Sequence, residues 1–91
     1  MNAILLRVVK SGEPTTAKSE KRESGELTKR YLILQELGGN YENTYVVVTF
    51  DNLATIKFAE GEIVMATLQF RTHEHNGQIY QDVVATEIIK R

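Results

Sequence analysis

Residues 62–89, EIVMATLQFRTHEHNGQIYQDVVATEII, decide how the rest of the chain is read. Val64, Ala66, Leu68 and Phe70 fall on one parity. Thr67, Gln69 and Arg71 fall on the other, with Met65 at its start. A period of two marks a strand with one buried and one wet face. His73-Glu74-His75 carries this strand on to Asn76-Gly77, the pair preferred in a type I′ hairpin turn. Residues 62–72 and 78–89 therefore read as the two strands of a hairpin.

Upstream, Asn43–Phe50 (NTYVVVTF) is dense in β-branched and aromatic residues and reads as a strand. The turn Gly38-Gly39-Asn40 joins it to a strand over Thr28–Leu37. Between residues 50 and 62, Asp51 or Asn52 can cap a short helix carrying Leu53, Ile56 and Phe58, with Gly61 as its stop. Ala3–Lys10 is a first apolar strand, broken at Ser11-Gly12-Glu13-Pro14. Residues 15–27 are nearly all small or charged and have no apolar face. A mobile loop over about 11–27 is the expectation.

The order is then three strands, a short helix and two strands. Five strands in 91 residues cannot bury both faces of an open sheet. Closing into a small barrel removes the edges and buries one face of each strand. The expected fold is all-β: a five-stranded Greek-key barrel over residues 1–91, one domain, with the short helix between strands 3 and 4 plugging one end. This layout resembles the OB-fold. Phe50, Phe58 and Phe70 read as core, Tyr80 as packed, and Tyr41 as an exposed tip.

Composition excludes several classes. There is no cysteine, hence neither a disulfide nor a Cys-based zinc site. No apolar run approaches a membrane span, and the start MNAILLRVVK lacks the form of a signal peptide, so a cytoplasmic setting is expected. The net charge is −1, from 11 Lys+Arg and 12 Asp+Glu, which excludes a polybasic protein. The two histidines, His73 and His75, are too few for a zinc site without further ligands, and no metal or cofactor is expected. No nucleophile elbow, P-loop or HExxH pattern occurs, and the chain reads as a non-enzyme.

Particular residues resemble a family. Phe50-x-x-Leu53-Ala54 followed by Phe58-x-x-Gly61-x-x-Val64 is similar to the strand–helix–strand passage of bacterial single-stranded DNA-binding proteins. Leu68-x-x-Arg71, Asn76-Gly77-x-x-Tyr80 and Asp82-Val83-x-Ala85 resemble their last two strands. The ending HNGQIYQDVVATEI is also similar to that of primosomal replication protein N, and closer still to short OB-fold proteins of Bacteroidetes. The departures are a helix about one turn shorter, no glycine bending the first strand, and no tryptophan for base stacking.

The resemblance implies binding of single-stranded DNA, or RNA as the alternative polymer, without strong sequence preference. Such binding needs cations for phosphates and flat side chains for bases. In OB-folds the groove crosses strands 2 and 3, flanked by the loops joining strands 1–2 and 4–5. The candidate contacts there are Lys21 and Arg22 in the first loop, Lys29 and Arg30 at its exit, and Arg71 and His73 on the last hairpin. Tyr31 and Tyr45 are the candidate stacking residues. Strand 2 is apolar on both parities, so parity leaves both tyrosines open between groove and core. Glu20, Glu23 and Glu26 interleave with the loop cations, so modest affinity and clear salt dependence are expected. The alternative is a protein–protein adaptor or homo-oligomeric module, a homodimer for instance, with the tyrosines as interface anchors.

Overall fold

The computed structural model describes residues 3–18, 20, 25–39 and 41–90. Its strands are β1 (Ala3–Ser11), β2 (Thr15–Lys18), β3 (Glu26–Glu36), β4 (Thr44–Phe50), β5 (Ile63–His75) and β6 (Gln78–Lys90). A 3-10 turn, η1 (Asp51–Thr55), follows β4. The strands form one sheet in the order β1-β5-β6-β4-β3-β2, and a further pairing of β1 with β3 closes it. All pairs are antiparallel except β4 with β6, where Val47 meets Val83 and Val48 meets Val84. This is the closed five-stranded barrel of an OB-fold, with β2 added outside the closure. Bulges at Val9 in β1 and at Thr86 in β6, opposite Thr67/Leu68 of β5, bend the strands that must curl around the core.

Residues from each of the five barrel strands fill the interior, among them Leu6, Val8, Leu32, Leu34, Val47, Val64, Ala66, Leu68 and Ala85. One barrel end is plugged by Ala54 of η1 and by Phe58, the largest fully buried side chain. The helical segment is shorter than its sequence suggests. Neither Asp51 nor Asn52 caps it: Phe50 is the N-cap residue and makes no side-chain bond. Asp51 itself takes φ 56°, and the turn ends at Ile56, whose N–H donates to the Leu53 carbonyl. The chain from Ile56 onward is extended enough to aim Phe58 into the barrel. Gly61 (φ 88°) sits in the turn before β5 and terminates no helix.

Two further expectations are corrected. The stretch 11–27 is not one unstructured loop. Thr15–Lys18 pairs with Glu26–Lys29, and β3 begins at Glu26, two residues before the expected strand. Every β2 residue is exposed, so the strand is held by ladder hydrogen bonds and carries no apolar face to announce it. The second correction concerns Phe70, which shares a parity with buried Leu68 yet is 41 % exposed. From Gln69 to Asp82 every residue is exposed, because β5 leaves β1 after Thr67 and the β5–β6 hairpin projects beyond the barrel as an arm. Its tip has Asn76 and Gly77 at φ 52° and 78°, the type I′ conformation expected of that pair.

Among the described residues, no helix is long and apolar enough to cross a membrane, and no group of three or more His, Asp or Glu side chains could hold a metal ion.

Candidate nucleic-acid interface

Directly opposed residues of paired strands share a face of the sheet. Arg30, Leu32 and Leu34 of β3 are buried, so Lys29, Tyr31 and Ile33 face outward. Tyr31 opposes Val48 of β4, and Val48 neighbours Val84 of β6. Val84 opposes Gln69 of β5, and Asp82 and Tyr80 oppose Arg71 and His73 further along the arm. One outer face therefore runs from Lys29 and Tyr31, across Val48 and Val84, to Arg71, His73 and Tyr80. Val48 and Val84 are buried but lie outside the core cluster, so they form the apolar floor of this face.

The groups on this face are presented to solvent. Tyr31 is 50 % exposed, and the Lys29 ammonium lies 5.6 Å from its ring centroid. On the arm, His73 stacks on Tyr80 with centroids 5.3 Å apart and planes 21° apart. His73 Nδ1 lies 3.5 Å from an Asp82 carboxylate oxygen. The Arg71 guanidinium donates from Nε and Nη2 to Gln69 Oε1, at 3.3 and 2.8 Å, and so stays on the same face. The Tyr80 hydroxyl donates to Gln78 Oε1. Such a surface offers cations for phosphates and flat rings for bases.

Two candidates from the sequence lie elsewhere. Arg30 is 6 % exposed and its guanidinium is spent inside the barrel. Nε donates to the Ala54 carbonyl (2.8 Å), and Nη1 donates to Ser11 Oγ and the Gly12 carbonyl (both 3.3 Å). Three consecutive strand residues cannot share a face, so Lys29 and Tyr31 outside require Arg30 inside. Tyr45 opposes buried Leu34 and packs against the core cluster, on the side opposite Tyr31. Its ring meets Phe70 edge-on at 6.2 Å, and its hydroxyl donates to Glu36 Oε2 at 3.0 Å. Tyr45 thus ties the root of the arm to the barrel. Lys21 and Arg22 lie outside the described residues.

The hydrogen bond to Glu36, partial burial and the Glu36 charge all hold the Tyr45 phenol in its neutral form, raising its pKa above the usual 10. The contact therefore stabilises the fold in full below about pH 10 and is lost as pH rises through the raised value. Phenolate absorbance, read as the difference between the wild-type chain and Tyr45→Phe, is expected to show a late-titrating tyrosine. Glu36→Gln should move that titration to lower pH.

Tyr80 is the residue the sequence reading undervalued. A type I′ turn at Asn76-Gly77 pairs His75 with Gln78 and therefore His73 with Tyr80, and this register was the available signal.

No protein-family model matches the chain, and no curated protein matches it. Solved structures do. The chain is similar to the second OB-fold domain of replication protein A from Methanococcus maripaludis, with TM-score 0.65 and 14 % identity, over 99 % of this chain and 83 % of that one. It is also similar to a small single-stranded DNA-binding protein from Streptomyces coelicolor, with TM-score 0.48 and 20 % identity, over 100 % of this chain and 96 % of that one. The likeness to the archaeal domain establishes the OB-fold.

Proposed function

We propose that the chain binds single-stranded nucleic acid, DNA in the first place, without strong sequence preference and without catalysing a reaction. The observation that carries this is one continuous outer face holding Tyr31 and the His73–Tyr80 stack together with Lys29 and Arg71. Aromatic faces accept any base, and cations that meet phosphates read no sequence. Lys21 and Arg22 belong to the proposed contact set on their place in the sequence, and Arg30 and Tyr45 leave it. The OB-fold supports the reading, because oligonucleotides bind this fold on the corresponding strands. The likeness of the last hairpin to primosomal replication protein N and to Bacteroidetes OB-fold proteins belongs to the same proposal.

Fluorescence anisotropy with oligothymidylate tests it, with oligouridylate as the RNA arm. Micromolar binding is expected at low salt, with log K falling by about 0.7 per log unit of salt for each phosphate neutralised on a single strand. Lys29→Ala and Arg71→Ala should each reduce that slope by about 0.7. No saturable binding at about 100 μM protein overturns the proposal.

A further inference from the structure

A carboxylate is out of place on a surface that meets phosphates, and the candidate interface carries one. Of the described side chains that the pairings set on this face from Lys29 to Tyr80, Asp82 alone is acidic. It stands opposite Arg71, yet the two form no ion pair. Arg71 turns away and donates to Gln69 Oε1 from both Nε and Nη2. Asp82 turns toward the ring stack instead: its Oδ2 lies 3.5 Å from His73 Nδ1, and its side chain is 55 % exposed. His73 in turn lies on Tyr80, with centroids 5.3 Å apart. A group that only accepts hydrogen bonds therefore stands at the edge of the flat surface offered to a base. A carboxylate has about four acceptor sites, so the contact with His73 leaves lone pairs on both oxygens.

We infer that Asp82 makes the arm select guanine at the base that lies on the His73–Tyr80 stack. The inference rests on the proposed binding of single-stranded nucleic acid and deepens it at one position. The donors on the Watson–Crick edge of each base decide the choice. A carboxylate sets two acceptors side by side and has no donor. Guanine presents two adjacent donors, N1–H and the N2 amino group, which meet both oxygens at once. Cytosine and adenine present one amino group beside an acceptor nitrogen. Thymine and uracil present one N–H between two carbonyls, which the carboxylate repels. A good bidentate contact discriminates against the wrong base by about tenfold or more, and about tenfold is expected at this exposed position. Elsewhere along the strand the rings and cations read no sequence, so the preference of the whole groove stays modest.

Fluorescence anisotropy of the full chain at fixed salt tests the inference. The probes are oligothymidylates carrying evenly spaced purines, either guanine, adenine or hypoxanthine. All three purines offer a similar ring to stack on, so differences among them report the edge. The guanine probe should bind about tenfold more tightly than the adenine probe. Hypoxanthine keeps N1–H and lacks the amino group, and should lose most of that advantage. Asp82→Asn should bring guanine and adenine to within about twofold of each other. It should also tighten binding of plain oligothymidylate, because a negative charge leaves the face. A carboxylate that merely repels phosphate would tighten every probe equally and leave the ratio unchanged. The side chain is exposed, so the variant keeps the fold. Equal affinity of the unmodified chain for guanine and adenine probes, or a guanine preference that survives in Asp82→Asn, overturns the inference and leaves the proposed function standing. Failure of every probe to bind at about 100 μM protein overturns both.

Discussion

Arg30→Ala is expected to cost about 3 kcal/mol of stability, because hydrogen bonds to a charged group are worth about 1.5–3 kcal/mol each and their buried partners are left unsatisfied. The guanidinium joins three elements: the end of β1 at Ser11 and Gly12, the η1 turn at Ala54, and β3 itself. Ala54 is fully buried, so its carbonyl has no water to turn to when Nε is removed. The surrounding bonds are shared. Gly12 N–H donates to the Tyr31 carbonyl at 2.9 Å, and Thr49 Oγ1, also fully buried, donates to the Arg30 carbonyl at 3.1 Å. A Cβ on Gly12 would stand 3.0 Å from that Tyr31 oxygen, so the β1–β3 crossing has no slack. Lysine lacks the fork that reaches acceptors on both sides, and Arg30→Lys should recover only part of the loss. Urea unfolding of the two variants measures this. A midpoint shift equivalent to less than about 1 kcal/mol for Arg30→Ala would show that the plug is not structural. Oligothymidylate affinity of the fraction still folded should stay near that of the unmodified chain, because the guanidinium does not reach the outer face.

The same residue shows which parts of the structure are legible in the sequence. Strand periodicity and the Asn76-Gly77 turn are local signals, and the β5–β6 hairpin follows from them. Closure follows from the need to bury one face of each strand. β3 is different, since Leu32 and Leu34 are as apolar as Tyr31 and Ile33. Its inward face is chosen by the register with β4, which sets Leu34 opposite Tyr45 and Tyr31 opposite Val48. That register depends on how many residues the intervening turn consumes, and the composition of the turn does not specify the number. That register accounts for the placement of both Arg30 and Tyr45. Tyr45 and Val48 differ by three positions and so face opposite ways. Lys29, Arg30 and Tyr31 are consecutive, so they split between surface and core. β2 was invisible for another reason: an edge strand held by backbone bonds alone shows no hydrophobic period.

Charge is divided in a way that a net value of −1 conceals. Asp82 stands opposite Arg71 and beside His73, so the arm carries its own carboxylate among the cations that would meet phosphate. Exposed pairs of this kind contribute little to stability. They do moderate the attraction of a polyanion, in keeping with the modest affinity expected. The burden of affinity then shifts from charge to stacking.

Tyr31→Ala is accordingly expected to weaken oligothymidylate binding by about 10- to 100-fold, since loss of one stacking platform costs about 1–3 kcal/mol. Tyr31 is the aromatic on the barrel's own outer strands that stands clear of the core, and its position is fixed from both sides. Its carbonyl is held by Gly12 and its ring shares the face with Lys29 and the Val48 floor. Half the side chain is already in water, so its removal leaves the barrel intact and the urea midpoint should move little. Tyr31→Phe keeps the flat face and should bind nearly as well, which separates stacking from any role of the hydroxyl. The salt slope of Tyr31→Ala should equal that of the unmodified chain, because the lost contact neutralises no phosphate. Lys29→Ala should do the reverse, lowering the slope with a smaller loss at low salt. If Tyr31→Ala binds as the unmodified chain does while Lys29→Ala does not, the bases do not stack on the barrel. The aromatic contact would then rest on the His73–Tyr80 stack of the arm, and Tyr80→Ala would carry the loss instead.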